Sequence, residues 1–300
     1  MTQRDEPTTS ATVRRTLGRV VRSRYLSGVP GPRAVAMRYR RYGRGFHRFW
    51  WDLSRADLPR SSPGEVTAVI LCHGRPFNID LHVRAALLAR EVGTVVVSNN
   101  NEDLDLEEIV DVRHPRLVLR DDYGINANRR HLLAAEYASS TVIAPDDDTF
   151  LRPGDMDALV RRFGSDTRAP LSVQGQRWDG SRWTNLLLAP PEQRVDVANR
   201  VYVYSRAQAE QALSLARDLD MAPGTSAFAT EPVDDVLLSF AGRDHPLVVD
   251  VDFLNCATAS DAAVATYRRT GFAPVRAELI RELRARLGWG GAPPPLGAQR

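Results

Sequence analysis

An α/β fold, with an open, mainly parallel sheet flanked by helices and a basic N-terminal arm, is what this sequence predicts. Three observations carry the expectation. From Val66 to Pro145, short apolar runs alternate with helical patterns in the order β-α-β-α-β-α-β. The ends of the four apolar runs carry polar clusters, as at the carboxyl edge of a parallel sheet where ligands bind. The charge is also lopsided. All 40 basic residues are arginine, and 13 of them lie in residues 13–60 beside only Asp52 and Asp57, a local charge of +11 in a chain of net +3.

Residues 1–62 form the arm, expected to be partly disordered, with Arg interleaved among Tyr25, Tyr39, Tyr42, Phe46, Phe49, Trp50 and Trp51. That composition suits peripheral contact with an anionic membrane; packing of the aromatics on the body is the alternative. No folded nucleic-acid-binding motif is visible, and nucleic acid is not expected as a partner. The body, residues 63–289, opens after Ser61-Ser62-Pro63-Gly64. Val66–Cys72 reads as a strand, His73-Gly74-Arg75-Pro76 as a turn and Phe77–Arg90 as a helix. Strand Thr94–Ser98 runs into Asn99-Asn100-Asn101. A helical turn at Leu104–Val110, a strand at Arg116–Leu119 and a loop at 121–125 follow. Helix Asn128–Ala138 leads to the fourth strand, Thr141–Pro145.

Beyond residue 151 the pattern predicts helices at Pro153–Gly164 and Arg206–Leu219, and strands at Pro170–Gln174, Val201–Tyr204 and Leu247–Val251. Arg177-Trp178 and Arg182-Trp183 flank a hairpin or acceptor-side loop. Ala222–Thr230 reads as a mobile loop, Asp234-Asp235 as the start of a buried helix, and residues 261–286 as a broken helix. Gly290–Arg300 is a flexible tail.

The apolar content of 43% suffices for a real core, and Cys72 and Cys256 make neither a disulfide framework nor a CxxC metal site. No run is long enough to span a bilayer and no apolar leader is visible, so a cytoplasmic location is expected, with peripheral contact at the inner face of the membrane. GxGxxG and GxxxxGK[ST] are both absent. Phosphate would have to be neutralised by metal and arginine instead.

The central stretch is Val142-Ile143-Ala144-Pro145-Asp146-Asp147-Asp148-Thr149. Three adjacent carboxylates at the lip of a core repel one another and lose hydration. A hard divalent cation relieves both costs and can bridge to a diphosphate. A solvated acidic turn is the bland alternative.

These residues resemble the nucleotide-sugar half of GT-A fold glycosyltransferases, most of all the exostosin-like glycosyltransferase domain. The likeness runs through Gly74-Arg75, Val95-Val96-Val97-Ser98-Asn99-Asn100, Asn126-Ala127-Asn128-Arg129 and the aspartate triplet. It continues more loosely through Val233-Asp234-Asp235-Val236 and Tyr267-Arg268-Arg269, covering residues 66–275. It implies a nucleotide-binding half at 63–151 and an acceptor half at 152–289. It implies that Arg75, Asn99, Asn100, Asn126 and Arg129 hold the uridine and ribose of a UDP-sugar donor, with Asp146 and Asp147 near the ribose or donor sugar. Asp148, with Asp146, would bind Mn²⁺ or Mg²⁺, and Arg268 or Arg269 would steady the departing diphosphate. Asp234 or Asp235 would sit by the anomeric carbon. The implied reaction is a retaining transfer to a glycan or lipid-linked hydroxyl. An inverting enzyme with Asp234 or Asp235 as base, and a catalytically silent scaffold of the same fold, are the alternatives. A sugar-phosphate nucleotidyltransferase is disfavoured, because only Gly74-Arg75 stands where such enzymes carry a Gly-rich basic signature.

Overall fold

In the computed structural model, the described residues are 43–178, 183–187, 192–256, 259, 265–268 and 270–289. The chain enters through helix α1 (Gly43–Arg55) and then builds β1 (Val66–Cys72), α2 (Pro76–Leu88), β2 (Val92–Asn99), α3 (Leu106–Ile109) and β3 (Leu117–Asp121). Helix α4 (Arg129–Tyr137) and strand β4 (Thr141–Pro145) complete the first half. The three strands β1, β2 and β4 are mostly apolar, with Thr67, Thr94 and Thr141 near their amino ends and Ser98-Asn99 at the carboxyl end of β2, because both of their faces are covered. Alternate residues sort to opposite faces. Ala68, Ile70, Val95, Val97 and Ile143 join one core cluster with α2, while Val69, Val96, Val142 and Ala144 join another with α4.

The second half adds β5 (Thr149–Phe150), α5 (Pro153–Gly164), β6 (Leu171–Trp178), β7 (Trp183–Leu187), β8 (Gln193–Arg194), β9 (Val197–Ser205), α6 (Arg206–Asp218), α7 (Ser226–Thr230) and α8 (Asp234–Ser239). Strands β10 (Leu247–Val248) and β11 (Leu254–Asn255) and helix α9 (Phe272–Leu287) end the described chain. The large sheet has the order β3-β2-β1-β4-β9-β6-β10-β8, with β7 paired to β6. Strands β1, β2, β3, β4, β6 and β10 run in one direction, and β7, β8 and β9 run against them. The strand order thus reverses between β1 and β4, and the carboxyl ends of those two strands flank the crevice where such sheets bind ligands.

Three regions depart from the sequence expectation. Residues 43–55, assigned to the arm, belong to the body: Phe49 and Leu53 of α1 are buried in the main core, four residues apart on one helical face. Ala222–Thr230, expected to be a mobile loop, contains α7, which Thr225 caps by accepting a bond from the Phe228 N–H. Phe228 is fully buried, and Asn128 Nδ2 donates to the carbonyls of Phe228 and Glu231. The strands β5, β8 and β11 are two residues each, too short to leave a period in the sequence. The hairpin expected around Trp178 and Trp183 is present, with those two residues paired, while its tip at 179–182 lies outside the described residues.

Candidate active site

The aspartates leave β4 in a tight turn at the crevice. The Asp146 N–H donates to the Arg200 carbonyl at 2.8 Å, and the Thr149 N–H returns to the Asp146 carbonyl at 3.1 Å. Phe150 then enters the core on β5, which pairs with β11, and the Cys256 N–H holds the Asp148 carbonyl at 2.7 Å. With its backbone tied on both sides, the turn sends its three side chains to three different partners.

Asp147 turns toward the start of α2. Its carboxylate meets Arg75 Nη1 at 2.6 Å, and its carbonyl accepts from Asn78 Nδ2 at 2.6 Å. Arg75 is itself buried and reaches Asp148 at 3.5 Å. Burial opposes the charge on Arg75, but Asp147 and Asp148 outweigh it and hold the guanidinium above its ordinary pKa. Asp148 pairs with Arg200 Nη1 at 2.9 Å and accepts from the Thr149 hydroxyl at 3.0 Å. Asp146 is the open member, with 29% of its side chain exposed, and bonds Arg130 at 2.9 Å. Lost hydration, against the pull of Arg130 and with the repulsion of Asp148 and Asp234, pushes its carboxyl up to about 7.

The antiparallel strand β9 supplies Arg200 because Val201 pairs with Pro145 at the end of β4. Arg200 lies in the left-handed region, with φ 82°, where a side chain is strained. It sits beside a register shift between β6 and β9, and this bulge aims its guanidinium at Asp148 and at Gln174 Oε1, 3.1 Å away. From the other side, α4 supplies Arg130, which bridges Asp146 and Asp234 (2.8 Å) and stacks 4.6 Å from the Tyr202 ring centroid. The neighbouring His131 sets Nε2 3.0 Å from the Asp234 carbonyl, and burial together with Arg130 pushes its pKa down to about 3. Asp235 is paired with the buried Arg276 of α9, and burial raises its carboxyl against that pairing.

Five carboxylates therefore meet four guanidiniums, those of Arg75, Arg130, Arg200 and Arg276, leaving one formal negative charge in excess. Among the described residues no three His, Cys, Asp or Glu side chains form a preformed metal cage. Asp146 and Asp148 have the chemistry of divalent-cation ligands, each holding an arginine in this structure. Their oxygens are hard, and Asp146 keeps 29% of its side chain exposed. Two carboxylates are also what Mg²⁺ uses when a substrate's phosphates complete its shell.

The other expected residues line the neighbouring strand ends. Asn99 is buried and donates to the Leu104 carbonyl and the Asp121 carboxylate, so it shapes the loop. Asn100 donates to the Ile125 carbonyl, and Asn126 Oδ1 accepts from the Asn128 N–H at 2.9 Å. Asn100 Oδ1 and Asn126 Nδ2 are left buried with no bonding partner. Arg129 pairs with Asp122, away from the aspartate turn. The side chain of Arg268, and Arg269 entirely, lie outside the described residues.

Arg130, Arg200 and Arg276 were not among the expected site residues. Two of them carried a signal. Arg130 shares a helical face with buried Leu133 and Ala134, and Arg276 with buried Leu279, Ile280 and Leu283. An arginine on an apolar stripe must find a buried acid. Arg200 carried none, because its role depends on a bulge formed between distant strands.

Two hollows are seen among the described residues. One of about 220 Å³ lies beside the site, lined by Glu231, Val233, Phe272 and Arg276 among others. A larger one, of about 590 Å³, opens near Gly64, Thr94 and Arg116, toward the amino ends of β1 and β2. There Gly64 and Gly93 cross so closely that a Cβ on Gly93 would lie 2.2 Å from the Gly64 carbonyl oxygen.

No protein-family model matches this chain, and no curated protein matches it. Among solved structures it is similar to GalNAc-T7 with UDP, GalNAc and Mn²⁺, with a TM-score of 0.45 and 12% identity over 74% of this chain and 55% of that one. It is also similar to TarS 1–349 of S. aureus in complex with UDP-GlcNAc, with a TM-score of 0.41 and 13% identity over 62% of this chain and 56% of that one. The chain thus spans a little over half the length of each.

Proposed function

We propose that this chain is a GT-A-type, metal-dependent glycosyltransferase that moves a sugar from a UDP-sugar to a hydroxyl of a glycan or lipid-linked acceptor with retention. The observation that carries the reading is the aspartate turn at the reversal of strand order, ringed by arginines. Departure of a nucleoside diphosphate develops negative charge at the leaving oxygen; the cluster carries one negative charge in excess, so a divalent cation would be needed to receive it, with the arginines free to trade carboxylate for phosphate. Asp146 and Asp148 would hold Mn²⁺ or Mg²⁺, whose chemistry here is neutralisation of the diphosphate. Arg200 lies on Asp148 and can exchange that carboxylate for a phosphate oxygen. Arg268 and Arg269 are proposed, from the sequence, to steady the same group.

Asn100 Oδ1 and Asn126 Nδ2 are one unbonded acceptor and one unbonded donor, both buried, which would complement the imide N–H and a carbonyl of uracil once their side chains turn outward. Arg75 and Asp147 shape the turn, and Asp234 and Asp235 are proposed, from the resemblance, to stabilise the positive charge that would develop on the sugar carbon. Both α8 carboxylates are paired with arginine, which favours their charged form and suits an electrostatic role beside the sugar carbon; general-base inversion stays the alternative.

Calorimetric titration with UDP and GDP, with and without Mn²⁺, tests the proposal alongside Asp148→Ala. The expected outcome is UDP binding that needs both Mn²⁺ and Asp148. Binding that ignores the metal and the substitution would sink the donor site, and the configuration of the first-formed product decides retention.

A further inference from the structure

Helix α1 has two unlike faces. Phe49 and Leu53 face inward and are buried against the core, where α1 packs on α2. On the outer side stand two adjacent tryptophans, Trp50 (40% exposed) and Trp51 (45% exposed), among the largest apolar surfaces the described residues present. Arginine surrounds them. Arg48 is 86% exposed and pairs loosely with the exposed Asp52 at 3.7 Å, and the Arg55 guanidinium lies 3.4 Å from the Trp51 ring centroid. Within residues 13–60, the 13 arginines face only two acids, while the remainder of the chain is net negative. No helix among the described residues is long and apolar enough to cross a membrane.

A water-facing helix has no reason to expose paired indoles. An indole with one apolar face and one N–H suits the interfacial layer of a bilayer. Arginines beside it suit lipid phosphate. We propose that α1 is an interfacial helix that seats this chain on an anionic lipid bilayer, with Trp50 and Trp51 entering the headgroup layer and the flanking arginines pairing with acidic lipid. Double-stranded nucleic acid explains the charge but leaves the tryptophans unused, since a duplex offers them no stacked base to meet. Phe49 touches Phe150, with ring centroids 5.6 Å apart, and Phe150 lies two residues after Asp148. The helix that meets the lipid therefore also buttresses the aspartate turn.

The test is co-sedimentation of the full chain with vesicles of phosphatidylcholine alone and of phosphatidylcholine with phosphatidylglycerol. The variants are Trp50→Ser/Trp51→Ser and Arg48→Ser/Arg55→Ser, all at exposed positions, with circular dichroism melts to verify folding. The expected result is binding to the anionic vesicles only, weakened about tenfold or more by the tryptophan pair and severalfold by the arginine pair. Tryptophan emission should shift to the blue on binding, and the shift should shrink in the tryptophan variant. Undiminished binding of a folded tryptophan variant, equal binding to both vesicle types, or binding to an RNA oligonucleotide without vesicle binding would each overturn the proposal. UDP titration of the same variants is expected to be unchanged, so this result stands or falls apart from the transferase reading.

Discussion

Arg200 offers the sharpest test of the site's construction. It is a non-glycine residue at φ 82° within β9, and it is held there by its bonds to Asp148 and Gln174. Truncation to alanine removes the guanidinium and keeps the strained backbone. Breaking a fully buried ion pair costs about 3–5 kcal/mol. Here the Arg200 side chain is 23% exposed, and Asp148 retains Arg75 and the Thr149 hydroxyl, so about 2 kcal/mol is expected. Glycine loses the same contacts but enters the left-handed region freely, recovering about 1 kcal/mol. Arg200→Gly should therefore be more stable than Arg200→Ala by about 1 kcal/mol, or about 2 °C in melting temperature for a chain of this size. Urea unfolding of both variants gives the difference directly. In ordinary strand geometry the order reverses, with glycine the less stable by about 0.5–1 kcal/mol. An alanine variant equal to or more stable than the glycine variant would refute the strained bulge and the account of how β9 delivers Arg200.

Other expectations follow from the same charge map. Arg130→Met strands Asp146 and Asp234, so it should cost about 3 kcal/mol or more at pH 8. Carboxylates with raised pKa stabilise the fold as they take up protons, so the deficit should narrow at pH 5.5 in urea midpoints. His82 and His131 are buried as neutral rings, with pKa values lowered to about 4 and about 3. Their contribution is complete above the unfolded value of about 6.5 and is lost as pH falls, by about 2 kcal/mol each at pH 5. His131→Gln should flatten that part of the melting-temperature profile; an unchanged slope would contradict a neutral buried ring. Phe150→Ala empties the contact among Phe49, His82 and the turn, and should cost about 3–5 kcal/mol in unfolding free energy.

Much of the architecture was legible without coordinates, for a local reason. β1, β2 and β4 are buried on both faces, so their central residues form apolar runs, and α2, α4, α5 and α6 lie within a few residues of their periodic patterns. The three aspartates after an apolar strand marked the crevice because charge at the end of a buried element needs a local cause. Where the pattern failed, the missing information was nonlocal. Ala222–Thr230 is small and polar enough to read as a loop, yet it is pinned by Asn128 from across the molecule.

The sequence by itself determined the parallel β-α core, the position of the aspartate turn and the excess of arginine near the amino end, since each is written in contiguous residues. Only the tertiary structure decided how the charges are matched. The register of β9 on β4 brings Arg200 to Asp148, the inward face of α4 selects Arg130 rather than Arg129, and α9 returns Arg276 to Asp235 across 41 residues. A carboxylate's partner is whichever guanidinium the packing leaves within reach in a region that excludes water. That choice belongs to the folded chain as a whole.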